Sequence, residues 1–146
     1  MKKFLFIILT MLCVSAAPVY ANSGISVVAN DIAVEFDVPP QIIDGRTMVP
    51  MRPIFEALDA QVEWFANSQL ILATHNADIA AMVIGNSEFT VTNVLSGKVR
   101  TIEFDVPPRI IDDRTFIPVR AVSEALGMDV QWDEDTKTVV ISMKVI

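Results

Sequence analysis

The chain has 146 residues, with 11 Lys and Arg against 18 Asp and Glu and a formal charge of −7. That balance repels nucleic acid and anionic membrane surfaces at long range, so neither is expected as a partner. The one cysteine, Cys13, excludes a disulfide framework within the chain.

In chain order, Lys2 and Lys3 precede an apolar run from Phe4 to Val14, which Pro18 breaks. Val19-Tyr20-Ala21 then places small or tolerated residues where a signal peptidase reads. Residues 1–21 are therefore expected to be a secretory signal peptide, cleaved near Ala21. The apolar run is shorter than the ~20 residues that span a bilayer; an uncleaved anchor is the alternative. Leu12 before Cys13 is not the small residue that lipoprotein processing prefers, so no lipid is expected. Cleavage leaves residues 22–146 with nine basic and eighteen acidic residues, a charge of −9 and no cysteine. Stability must then come from a packed core, even in a compartment that permits disulfides. No second apolar stretch approaches membrane length, so no transmembrane segment is expected in the mature chain. The expected location is secreted or extracytoplasmic, at the cell envelope. Ile146 closely follows the last expected strand, without a sorting signal, so retention at the surface is expected to be non-covalent.

The most informative feature is internal. Phe36 to Thr74 and Phe104 to Ser142 align at a constant offset of 68 residues without a gap, and 17 of 39 positions are identical. This reads as a tandem duplication with copies at about 25–75 and 95–146. Ile32 to Val38 alternates as a strand does, and Val99 to Val106 matches it. Pro39-Pro40 and Pro107-Pro108 end these strands, because proline cannot donate to a ladder. Ile42-Ile43 and Ile110-Ile111 extend again, and Asp44-Gly45 and Asp112-Asp113 make tight turns into Thr47-Met48-Val49 and Thr115-Phe116-Ile117.

A helix of about ten residues follows in each copy, Met51 to Asp59 and Val119 to Gly127, with Pro50 and Pro118 at its entrance. Ile54, Ala57 and Leu58 line one face, and Val122, Ala125 and Leu126 are their counterparts. That is the stripe of a helix packed on a sheet, where each large buried side chain contributes ~1.5–3 kcal/mol. Gly127 is a natural left-handed stop, and Asp59 fills that place less well. Each copy closes with a hairpin: Val62-Glu63-Trp64 with Leu70-Ile71-Leu72, and Val130-Gln131-Trp132 with Val139-Val140-Ile141. A further hairpin, about 78–94, turns at Gly85-Asn86 and joins the copies without a Pro/Ser-rich linker. The expected fold is α+β: a tandem-duplicated motif whose antiparallel sheets each pack on a short helix, with residues 22–146 forming one domain.

The string Pro-Pro-x-Ile-Ile-Asp-(Gly/Asp)-Arg-Thr-x-(Val/Ile)-Pro-x-Arg-x-(Ile/Val)-x-Glu-Ala-Leu, followed by Val-x-Trp, occurs in both copies. It resembles the copper amine oxidase N-terminal-like, or stalk, domain family of exported bacterial proteins. The resemblance covers nearly the whole mature chain. It departs at Asp59, where glycine is usual, and at Phe65-Ala66-Asn67, where an acidic turn is usual. It implies a small antiparallel sheet wrapped on a helix and a non-catalytic accessory module. Amine oxidation itself needs several metal-binding histidines and a tyrosine converted to a quinone. Here His75 is the only histidine, and the only tyrosine, Tyr20, leaves with the signal peptide.

The remaining residues are candidates for binding or structure rather than catalysis. His75 alone falls short of the three or four ligands of a tight transition-metal site. Asp133, Glu134 and Asp135 lack the spacing of a calcium loop and read as a solvated hairpin tip. Arg46, Arg52 and Glu56 recur as Arg114, Arg120 and Glu124. Arg52 and Arg120 are expected to pair with Glu56 and Glu124 four residues on, or with the strand acids Asp37 and Asp105. The functional alternative is a pair of clamps for anions or sugar acids. Trp64 and Trp132 share a pleat face with Val62 and Val130, which favours core over a carbohydrate platform. No catalytic residue, cofactor or metal is expected. The leading reading is a non-catalytic binding or scaffolding module contacting a cell-wall polymer or another exported protein. The alternatives are a small cell-wall hydrolase, for which no site chemistry is recognisable, and a periplasmic metal-handling protein, against which one histidine and five scattered methionines argue.

Overall fold

Left-handed turn residues set where the chain reverses. Asp44 and Gly45 have φ of 49° and 78°, and Asp112 and Asp113 have 48° and 59°. Two consecutive residues at positive φ match the right-handed twist of a two-residue hairpin. In the computed structural model, which describes residues 23–145, these turns join β3 (Gln41–Ile43) to β4 (Arg46–Pro50) and β10 (Arg109–Ile111) to β11 (Arg114–Pro118). The two hairpins form one four-stranded sheet in the order β10-β11-β4-β3. At its centre β4 and β11 are antiparallel, with Val49 opposite Ile117, Pro50 opposite Phe116 and Met48 opposite Pro118. Val49 and Ile117 are themselves 68 residues apart, so the matching segments meet about a local two-fold relation.

Each central strand runs directly into a helix: α1 (Met51–Ala57) after β4 and α2 (Val119–Ala125) after β11. Both are seven residues long, shorter than the sequence suggests, because the chain enters a left-handed stop soon after Leu58 and Leu126. In α1 the Asp59 N–H donates to Glu56 O (3.2 Å) and the Ala60 N–H to Phe55 O (2.8 Å). These bonds satisfy carbonyls that the helix end would otherwise leave open. Asp59 takes φ 54° there and Gly127 takes φ 85°. The buried faces are broader than expected. Met51, Ile54, Phe55 and Leu58 are buried from the α1 segment; Val119, Val122, Ser123, Ala125 and Leu126 are buried from α2. Ala57 is only half-buried. Ser123 stands where the other segment has Phe55, and its hydroxyl is buried without a hydrogen-bond partner among the described residues.

The closing hairpins form from the expected segments, although in the first Val62 pairs with Ala73, just beyond the expected partner segment Leu70 to Leu72. β5 (Gln61–Phe65) pairs with β6 (Leu70–His75), placing Trp64 opposite Ile71, and β12 (Met128–Asp133) pairs with β13 (Thr138–Met143), placing Trp132 opposite Val139. β7 (Asp78–Val83), β8 (Glu88–Asn93) and β9 (Val99–Glu103) extend the first hairpin into a five-stranded antiparallel sheet, β5-β6-β7-β8-β9. The second hairpin is extended differently. β1 (Ser26–Ala29) lies parallel to β13, and the short β2 (Ile32–Ala33) lies antiparallel to β1. Neither β1 nor this parallel pair is among the sequence expectations. The expected strand Ile32 to Val38 survives only as β2, because the chain then crosses between two apolar clusters. Val34 and Phe36 pack on the main one and Val38 lies in the other.

The main cluster draws on residues from Val27 to Ile141 and includes both helices and the inward faces of the sheets. The second cluster is small: Val38, Met48, Val106 and Phe116, two pairs of residues 68 apart, on the opposite face of the central strands. The fold is mostly β with two short helices, an α+β arrangement. The expected signal peptide falls on residues 1–21, outside the described residues. No helix among the described residues is long and apolar enough to cross a membrane.

The two helix stops make a direct comparison possible. An alanine at Gly127 would meet no atom within 4 Å, so its cost is the left-handed backbone alone. Gly127→Ala should lower the unfolding free energy by about 1–2 kcal/mol, and Asp59→Gly should raise it by about 0.5–1 kcal/mol. Urea unfolding of both variants against the parent measures this.

Candidate functional site

The β3–β4 turn carries Arg46 toward the opposite segment, where its Nε donates to Asp105 Oδ2 at 2.9 Å and its Nη2 donates to the same oxygen. The β10–β11 turn does the same in reverse. Arg114 donates to Asp37 Oδ2 from Nε (3.0 Å) and Nη2 (2.6 Å). The strand acids named from the sequence are thus held by Arg46 and Arg114 across the segments, not by Arg52 and Arg120. These four side chains are about half exposed to solvent, so each pair contributes modestly, within about 1 kcal/mol.

Each crossed pair borders a cleft. The larger, about 940 Å³, is lined by Arg46 and Asp105, by Arg120 and Glu124 of α2 and by Trp132 of β12. The smaller, about 590 Å³, is lined by Arg114 and Asp37, by Arg52 and Glu56 of α1 and by Trp64 of β5. Every one of the eleven residues lining the smaller cleft has a counterpart 68 positions away lining the larger one. All eight candidates from the sequence (Arg46, Arg52, Glu56, Trp64, Arg114, Arg120, Glu124 and Trp132) therefore lie in these two clefts, four in each. The sequence alone does not show that each cleft takes one arginine from one segment and the rest of this set from the other.

The clefts differ where their residues differ. In the larger one Arg120 Nη1 donates to Val130 O (2.9 Å) and to Glu124 Oε1 (3.4 Å), tying α2 to β12. In the smaller one, among the described residues, no ion pair joins Arg52 to Glu56 within 4.0 Å; Pro53 stands where the larger cleft has Ala121. Trp64 is half-buried and packs on the main core. Trp132 is 36% exposed, and its indole N–H donates to Glu134 Oε2. Glu134 and Lys137 also line the larger cleft; their counterparts Ala66 and Gln69 do not line the smaller one.

His75 lies at the end of β6, where Asn76 Nδ2 approaches its Nδ1 at 3.3 Å. Among the described residues no group of three or more His, Cys, Asp or Glu side chains is placed to hold a metal ion. Asp133 is occupied locally: its Oδ1 accepts from the Asp135 (3.0 Å) and Thr136 (3.2 Å) N–H groups of its own turn.

The fold is mostly β with two short helices, and it carries two clefts bordered by paired charges. The copper amine oxidase N-terminal domain family matches residues 28–141, and the chain belongs to that family. A Brevibacillus choshinensis protein described as a protease inhibitor is 26% identical over 93 residues, which is 64% of this chain and 27% of that protein. The chain thus spans about a quarter of the length of that relative.

The crossed pairs make an acid-side prediction. The Arg114 side-chain hydrogen bond holds the Asp37 carboxyl below its ordinary range, against a smaller opposing effect of desolvation. A depressed folded-state pKa contributes stability that is present above the unfolded value and is lost as pH falls through the folded one. Melting temperature should therefore drop below about pH 4, and this part of the drop should be absent in Asp37→Asn and weakened by high salt. Identical acid limbs for the two proteins would exclude the contribution.

Proposed function

We propose that the protein is a non-catalytic binding module acting outside the cytoplasm, and that its larger cleft contacts the cell envelope or another exported protein. The observation that carries this reading is the gathering of the recurrent arginines, glutamates and tryptophans into two related clefts, with Trp64 packed on the main core and Trp132 36% exposed. Membership of a family whose amine oxidase representatives use this domain outside the catalytic centre supports the non-catalytic part. The basic and apolar start of the chain, Lys2 to Val14, supports export. We further infer that the matching segments arose by tandem duplication and that residues 22–146 act as one domain.

The description of the Brevibacillus relative favours one class of exported partner, a protease. Two assays separate these partners. Co-sedimentation with purified sacculi over a salt series should show saturable binding that Trp132→Ala removes without lowering the melting temperature. Titration of an exported-protease fraction should instead show a stoichiometric loss of proteolysis if a protease is the partner. Absence of both effects would contradict the binding reading.

A further inference from the structure

The larger cleft has features that a contact surface alone does not require, and they select a ligand chemistry. Its volume of about 940 Å³ falls at the upper end of the range for small-ligand sites. Trp132 presents a partly exposed indole whose N–H donates to Glu134, so its polar edge is already satisfied and its ring face is left for apolar contact. The related Trp64 also lines its cleft but packs on the core, half-buried.

The charges are the second selector. Three cations (Arg46, Arg120 and Lys137) face four carboxylates (Glu103, Asp105, Glu124 and Glu134). Arg46 is paired with Asp105 and Arg120 with Glu124 inside the cleft. An anionic polymer would have to displace these carboxylates and approach a chain that is itself acidic. Pairing does not exhaust the polar groups, however. A guanidinium has five N–H donors and a carboxylate about four lone-pair sites, so each pair keeps donors beside acceptors. A hydroxyl group needs both, because it donates one hydrogen bond and accepts others. An apolar ring face flanked by hydroxyls matches a partly exposed indole bordered by such pairs.

From this combination we propose that the larger cleft binds a neutral saccharide chain. A pyranose ring stacks on Trp132, and Arg120, Glu124 and the Arg46–Asp105 pair hydrogen-bond its hydroxyls. The proposal rests on the binding reading above and names the ligand class of the same site. The proposal is confined to the larger cleft, because Trp64 packs on the core and Ala66 stands in place of Glu134 in the smaller one.

The test uses the purified protein labelled with ¹⁵N, whose two tryptophans give two indole N–H signals. The probes are the hexamer of β-1,4-linked N-acetylglucosamine and cellohexaose, with polyphosphate as the anionic comparison. Saturable movement of the Trp132 signal with at least one saccharide, with the Trp64 signal fixed and polyphosphate inert, is the expected result. Trp132→Ala should weaken saccharide binding at least about tenfold, a difference of 1.4 kcal/mol. Arg120→Gln should weaken it as well while the Trp132 signal remains available as the reporter. Unmoved indoles at millimolar saccharide, or binding undiminished in Trp132→Ala, would overturn the proposal. If sacculi or an exported protein still bind through Trp132 in that case, the ligand class fails and the binding reading stands. If they do not bind either, both fail.

Discussion

The antiparallel contact between β4 and β11 is the constraint on which the rest of the structure depends. It places Val49 against Ile117, residues that occupy the same position in the two matching segments. A strand paired with its own counterpart in this way puts everything attached to one strand in a corresponding place on the other. Helices α1 and α2 follow the paired strands without an intervening loop, so they are set at the same step. On one face of the contact Val49 and Ile117 enter the main core. On the other, Met48 and Phe116 meet Val38 and Val106. The alternation of strand side chains thus lets one short ladder serve two apolar clusters.

The crossed arginines follow from that geometry. The turn before each central strand projects past its partner, so Arg46 and Arg114 reach aspartates of the opposite segment rather than their own. Each cleft consequently has walls from both segments. Separation of the segments would dismantle both clefts, because neither segment holds a complete set of lining residues. Asymmetry enters through a few substitutions on this shared frame. Pro53 for Ala121, Ala66 for Glu134 and Gln69 for Lys137 distinguish the smaller cleft from the larger. The packing of Trp64 on the core completes the difference.

Local elements were legible in the sequence where their causes are local. The Asp-Gly and Asp-Asp turns, the prolines before the helices, the glycine stop at Gly127 and the closing hairpins depend on residues close together in the chain. Element ends were less legible. The alternation from Ile32 to Val38 signals burial of one side, but it does not reveal that the chain leaves the sheet after Ala33 to reach the second cluster. β1 is not legible because its four residues have no counterpart among the matching positions, and its parallel partner β13 lies at the far end of the chain. Recurrence marks residues that line the clefts. It does not say which acid each arginine meets, since the deciding distances span 59 and 77 residues. Nor does pleat parity separate Trp64 from Trp132, which share a position yet differ in what covers them.

If the β4–β11 ladder holds the two segments together, they cannot open independently. Native-state hydrogen exchange tests this most directly, read at Met48, Val49, Phe116 and Ile117 and at the core strand residues Ile71 and Ile141. The account predicts that the protected amides of the central ladder exchange only through global unfolding, with the same free energy as those of both outer sheets. Exchange of Ile71 or Ile141 through a lower-energy opening that leaves the other segment protected would contradict it.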